Sequence, residues 1–189
     1  MSIPGAPEQR AARPGPPSRV VLDAHGIERA TRRIAHEILE RAGDASDLVL
    51  VAIAAGGVPV GERLVEHLRE LADREIPLGI LDVTLYRDDV IARGRRPIPQ
   101  RTRLEFSVGG KRVVLIEDVV FTGRTVRAAM DAIIDFGRPE AIEVATLVDR
   151  GHRELPIRVD FVGKNIPTSR AERVVLQRNE AGELEVIVE

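Results

Sequence analysis

Two short, unbroken runs of branched apolar residues, LVLVAI at 48–53 and VVLI at 113–116, set the tightest limit on what this chain can fold into. Runs without polar alternate positions suit strands covered on both faces, as in a parallel sheet packed between helices. Each is followed by a glycine-bearing turn and then by apolar residues at helical spacing. After the first come Gly61, Leu64, Val65, Leu68 and Leu71; after the second come Val126, Ala129, Met130, Ile133 and Ile134, with Gly137 placed to end that helix. An earlier amphipathic helix is predicted from Ile27 through Thr31, Ile34 and Ile38 to near Gly43, with Arg29, Arg32, Arg33 and His36 on its polar face. Further strands are predicted over 78–85, 141–148, 158–162, 174–177 and 184–188. Strands alternating with helices require right-handed crossovers, so the expected class is α/β, a mainly parallel twisted sheet flanked by helices. Ligands of such sheets bind beyond the carboxyl ends of the strands, which points to the loops at 54–57 and 117–125.

Composition narrows the functional classes. A length of 189 residues fits one domain over 20–189, preceded by a tail at 1–19 so dense in proline and glycine that it is expected to be mobile. The balance of 43% hydrophobic against 31% charged residues is that of a folded soluble chain rather than a disordered one. With 28 basic and 30 acidic side chains the net charge is −2, so contact with nucleic acid requires a local basic patch rather than a whole-body field. The absence of cysteine excludes disulfides, thiolate metal sites and cysteine nucleophiles, and fits a reducing compartment. The longest uncharged run, 48–61, is well short of the roughly 20 residues of a spanning helix, and no basic-then-apolar leader opens the sequence, so a cytoplasmic protein without membrane contact is expected. The polar stretch 87–110 carries arginines at 87, 93, 95, 96, 101 and 103; connections this long in a small domain are functional or mobile.

The chemistry concentrates at 113–125, VVLIEDVVFTGRT. Amides exposed at the start of a helix, with the hydroxyls of Thr122 and Thr125, make a cradle for a phosphate, and Gly123 lets the backbone approach it. Glu117 and Asp118 stand just before that cradle, where carboxylates accept hydrogen bonds from vicinal sugar hydroxyls. Two acids beside a bound phosphate repel it unless Mg²⁺ or hydroxyl donors intervene. Other nucleotide and metal motifs are missing. No G-x-G-x-x-G follows a strand, Gly110-Lys111 is followed by Arg112 where a P-loop needs Ser or Thr, and HEILE at 36–40 lacks the second histidine of a zinc helix.

This segment resembles the ribose-5-phosphate signature of the type I phosphoribosyltransferases. TLYRDD at 84–89, GRTVRAAMDAI at 123–133, LVDRGHRELPIR at 147–158 and DFVGKNIPTS at 160–169 narrow the likeness to the PyrR family, bifunctional pyrimidine operon attenuation proteins and uracil phosphoribosyltransferases. The likeness runs from about Val20 to Glu189 and implies the type I phosphoribosyltransferase fold, with a small hood formed by C-terminal segments. It implies a reaction of uracil with phosphoribosyl pyrophosphate to give UMP and pyrophosphate, with Mg²⁺ carried on the pyrophosphate and ribose hydroxyls. Carried over, Val119, Val120, Phe121, Thr122, Gly123, Arg124 and Thr125 form the 5-phosphate loop, and Glu117 and Asp118 hold the ribose hydroxyls and are the acids placed to touch the metal. Arg87 and the loop arginines are candidates for the pyrophosphate, together with the turn at Ala55, Gly56 and Gly57. Lys164, Asn165 and Ile166 are expected to cover the base. Purine relatives place an Asp before the Thr-Gly pair; Phe121 stands there and cannot take a proton, which favours a pyrimidine or a site without catalysis.

The family usually presents Lys-Thr-Arg-Gly or similar at the pyrophosphate turn. This chain has Ala54-Ala55-Gly56-Gly57, which keeps the amides and loses the cations. The family also implies UMP-promoted binding to the leader of pyrimidine operon mRNA and transcription termination, through Arg29, Arg32, Arg33, His36 and Arg41 of the first helix and His152, Arg153 and Arg158, on a homodimer or higher oligomer. A regulator without catalysis and a salvage enzyme without an RNA role stand as alternatives.

Overall fold

The computed structural model describes residues 18–88 and 101–189. The expected mobile tail, apart from its last two residues, and the arginines at 93, 95 and 96 lie outside them. In chain order the elements are β1 (Arg19–Leu22), α1 (Ala24–Ala42), β2 (Leu48–Ile53), α2 (Gly57–Ala72), β3 (Leu78–Leu81), a 3-10 turn (Thr84–Tyr86), β4 (Arg112–Val120), α3 (Arg124–Ile134), β5 (Ala141–Asp149), β6 (Phe161–Asn165), β7 (Val174–Arg178) and β8 (Leu184–Val188). Five strands form a parallel sheet in the order β3-β2-β4-β5-β6, and β1, β8 and β7 form a separate antiparallel sheet.

The alternation of side chains along β2 and β4 explains why both runs are apolar throughout. Leu48, Leu50, Val114 and Ile116 join Ile27, Ile34, Ile38, Leu64 and Leu68 of α1 and α2 in one core. Val49, Val51, Ile53, Val113 and Leu115 face the other way and pack on Ala128, Ala129, Ala132 and Ile133 of α3. Helix α1 begins where the Asp23 carboxylate accepts the amide of Gly26 at 2.7 Å and ends at Gly43, as expected.

The structure departs from the sequence expectation at one whole strand and at several element ends. Strand β1 was not foreseen; its pairing with β8 puts residues 19–22 into the hood sheet together with the C-terminal strands. The strand expected over 78–85 stops at Leu81, because the Asp82 amide donates to the Thr102 hydroxyl and the Asp82 carboxylate caps the amide of Thr84, starting the 3-10 turn. Strand β4 runs past Ile116 to Val120, since Glu117, Val119 and Val120 stay in register with Thr146, Val148 and Asp149 of β5. The strand expected at 158–162 begins only at Phe161, after Asp160 has used its carboxylate to accept the amide of Val144.

Candidate active site

The carboxyl ends of β2, β4 and β5 carry the site. Gly57 sits where a Cβ would collide with the carbonyl oxygen of Ile116, so the start of α2 lies directly on β4. The turn before it contains a cis peptide between Ala54 and Ala55, and the Ala54 amide donates to Leu81 O at 3.0 Å. At the next strand end the chain turns through Gly123, whose φ of +89° is left-handed and whose missing Cβ leaves room for Ile157, 3.0 Å from where that atom would stand. Both demands select glycine. The Arg124 amide leans on the Thr122 hydroxyl at 3.4 Å, and a cavity of about 260 Å³ opens over the loop, lined by Arg87, Glu117, residues 119–126 and Glu154.

Adjacent residues of an extended strand point to opposite sides, and the two acids follow that rule. Glu117 faces the cavity over the loop at 119–126, beside Arg87. Asp118 faces α2, with its carboxylate filling the space a side chain at position 56 would occupy. Burial pushes the Glu117 carboxyl well above the usual glutamate value; the Asp118 charge adds to this and Arg87 opposes it. Burial also raises Asp118, offset by its backbone hydrogen bonds. Glu117 is half-buried as a residue, yet its Oε2 is sealed from solvent without a hydrogen-bond partner among the described residues. An acceptor in that condition fits hydroxyl donors or a divalent cation brought by a ligand. Among the described residues there is no group of three or more acidic or histidine side chains able to hold a metal alone, so an ion here would need oxygen atoms from the substrate.

The other expected site residues are distributed unevenly. Thr122, Gly123, Thr125, Val119, Val120 and Phe121 line the cavity together. Arg124 contributes its amide, but its guanidinium is committed to Glu154 at 3.0 Å and Asp88 at 2.8 Å. Lys164 donates to the carbonyl of Val21 in β1, the Ile166 amide donates to Asp149 O, and Ile166 is buried. Arg29, Arg32, Arg33, His36 and Arg41 are all exposed along α1. Arg32 pairs with Glu70, and Arg33 pairs with Glu37 and reaches the carbonyls of Val162 and Gly163. Arg41 lies over the Phe161 ring and pairs with Glu143 and Asp160. Arg158 is exposed. His152 and Arg153 stand beside the loop at 121–125: His152 meets the Phe121 ring edge-on, and Arg153 donates to the Phe121 carbonyl and the Asp149 carboxylate.

Glu154, Asp88, Ile157 and Arg150 also build the site, and the reading of residue types missed them. Arg150 stacks its guanidinium 4.1 Å above the Phe121 ring while donating to Thr168 Oγ1 and Ser169 O, which ties the loop at 121–125 to the segment leading into the hood. Glu154, Ile157 and Arg150 all fall in 147–158, so the only signal for them was the likeness of that stretch.

Comparison with known proteins agrees with this geometry. The family model described as phosphoribosyl transferase domain matches residues 19–176. Proteins named bifunctional protein PyrR are similar throughout: 53% identity over 169 residues in Pelotomaculum thermopropionicum, covering 89% of this chain and 93% of that protein. The one from Chloroflexus aurantiacus is 54% identical over 168 residues, covering 89% and 92%. Among solved structures, the hypoxanthine phosphoribosyltransferase of Trypanosoma cruzi superposes with a TM-score of 0.68 at 20% identity, over 90% of this chain and 95% of that one, which shows a common fold. The extent and level of these similarities place the chain in the phosphoribosyltransferases, as a member of the PyrR family.

Proposed function

We propose that the protein converts uracil and phosphoribosyl pyrophosphate to UMP and pyrophosphate, and that with UMP bound it regulates pyrimidine biosynthesis genes by binding their leader mRNA. The observation that carries the first half is a single cavity lined by residues 122–125 and Glu117, with the buried Asp118 carboxyl at the same strand end turned to the 54–57 turn; on this reading the amides and hydroxyls of 122–125 take the 5-phosphate and the two acids the ribose hydroxyls. In the reaction the uracil N1 bonds to C1 of the ribose while the C1–oxygen bond breaks with its electron pair leaving on pyrophosphate, whose oxygens take up the N1 proton. Positive charge grows on the sugar as that bond lengthens, and ionised Glu117 and Asp118 stabilise it across a short distance in a site partly shut to water. Mg²⁺, when bound with the donor, supplies charge neutralisation for the pyrophosphate. Phe121 offers no proton acceptor, which suits a pyrimidine base; its ring, clamped between Arg150 and His152, shapes the site instead. Lys164, Asn165 and Ile166 border the base on this reading.

The RNA half rests on the name and similarity of the PyrR relatives and on the exposed basic face of α1. A dimer would bring two such faces into one assembly. Loss of the transferase with retention of regulation has one observation in its favour, the cation-free turn at 54–57. The test is UMP formation from uracil and phosphoribosyl pyrophosphate with Mg²⁺. Turnover falling at least about 100-fold in Asp118→Asn is expected from losing one carboxylate aimed at developing charge; a wild-type rate no higher than that of the variant removes the enzyme reading.

A further inference from the structure

We infer that Arg101 and Arg103 hold the pyrophosphate of the phosphoribosyl donor, supplying from a neighbouring segment the cations that the turn at 54–57 lacks. The inference rests on the phosphoribosyl transfer proposed above. Residues 101–103 form a short strap along the end of β3. Arg103 and Ile80 exchange backbone hydrogen bonds of 2.8 Å in both directions, and Thr102 turns its hydroxyl to the Asp82 amide. With Thr102 fixed inward on an extended strap, its neighbours Arg101 and Arg103 share the other side. The turn is tied to the same strand end, since the Ala54 amide donates to Leu81 O. The result is a cavity of about 570 Å³ whose walls are Ala55 of the turn, Val58 and Pro59 of the first turn of α2, Ile80, and the two arginines.

The state of the arginines separates them from the others of the site. The Arg124 guanidinium is neutralised by Glu154 and Asp88, and that of Arg127 by Asp131 with Asp88 nearby. Arg101 and Arg103 are exposed, and no carboxylate among the described residues pairs with either. Two guanidinium groups on one side of a strap repel each other until a polyanion lies between them, and their planar forks match phosphate oxygens two at a time. Arg87, the other described member of the arginine-rich stretch, lines the phosphate-loop cavity near Glu117 and is not at this turn. One cavity thus lies on the Glu117 side of the strand ends with the loop at 122–125, and the other beside β3 and the first turn of α2, past the turn whose Gly56 meets Asp118. A donor with a phosphate at one end of its ribose and a diphosphate at the other has matching poles.

The test uses the full chain and two calorimetric titrations, one with inorganic pyrophosphate and Mg²⁺ and one with UMP, alongside the Michaelis constant for phosphoribosyl pyrophosphate. In the double variant Arg101→Gln/Arg103→Gln, pyrophosphate binding is expected to weaken at least about ten-fold and the Michaelis constant to rise comparably, as loss of charge-assisted contacts requires, with UMP affinity unchanged. Arg101→Lys/Arg103→Lys should recover most of that loss, which a packing role would not produce. Unaltered pyrophosphate binding in the glutamine variant, or a parallel loss of UMP binding, overturns the assignment. Wild-type protein that binds UMP but no pyrophosphate overturns it too, leaving the nucleotide site intact; wild-type protein that binds neither ligand sinks the phosphoribosyl transfer reading itself.

Discussion

Glu117 and Asp118 are neighbours in sequence, yet they meet different surroundings. Glu117 looks into the cavity over the loop at 119–126 with one oxygen sealed and without a hydrogen-bond partner among the described residues, whereas Asp118 fills the space left by Gly56. That difference has a thermodynamic consequence in metal-free, ligand-free protein. Below the ordinary glutamate value of 4.5 the Glu117 carboxyl is protonated in both folded and unfolded chains and has no effect on the balance between them. As pH rises, the unfolded chain releases this proton first, because burial holds the folded value well above 4.5. Stability therefore falls through the window between the two values and then levels off. Glu117→Gln cannot ionise, so it should match the wild type below the window and exceed it above. Urea unfolding at a series of pH values checks this, and an equal pH slope in both proteins would contradict it. The presence of an acid pair was legible in the residues; the opposite orientation of its members was not, because it depends on β4 continuing as strand beyond Ile116. Phe121 was legible as a group unable to take a proton, while its clamping by Arg150 and His152 comes from a segment about thirty residues away.

Strand and helix identities followed from periodicity, and the end of α1 from Gly43, whereas its start at Asp23 precedes Ile27, the first residue that the pattern gave. What failed were ends decided by single side chains from elsewhere. Thr102 takes the amide that would have extended β3, and Asp160 delays β6 by bonding to β5. Such bonds join distant parts of the chain, and no local pattern announces them. The β4–α3 junction is the opposite case, with a demand written in the sequence by Gly123 and tightened by Ile157. Gly123→Ala forces a left-handed side chain at about 1–2 kcal/mol, and displacing Ile157 adds to it. Denaturant unfolding should show that loss. UMP affinity should fall at least about ten-fold as the cradle amides shift out of line; a variant of unchanged stability and affinity would show that the turn tolerates a Cβ.

Across the molecule, the parallel sheet and the hood sheet are linked by long-range contacts from charged groups. Lys164 of β6 bonds to Val21 of β1, and Arg150 at the end of β5 holds Thr168 and Ser169. No described helix is long and apolar enough to cross a membrane. With a net charge of −2, RNA affinity must come from a patch, and the pairs Arg32–Glu70 and Arg33–Glu37 already temper the helix face. RNA binding should therefore depend on salt only moderately. Replacing Arg32 and Arg33 with Gln should lower the slope of log affinity against log salt by about one per arginine that contacts phosphate. Titrations of leader RNA with and without UMP measure this, and indifference to both UMP and these substitutions rules out the regulatory half. By itself the sequence determined the α/β class, the turn through Gly123 into a helix and the acid pair before it, because backbone periodicity, glycine at a left-handed turn and helix-start amides are local physics. The tertiary structure alone decided which way each acid points, which arginines line the cavity beside the cation-poor turn with no carboxylate partner among the described residues, and that β1 pairs into the hood sheet. Each of these follows from strand pairing and side-chain bonds between segments far apart in the chain, where the outcome depends on register and packing rather than on neighbouring residues.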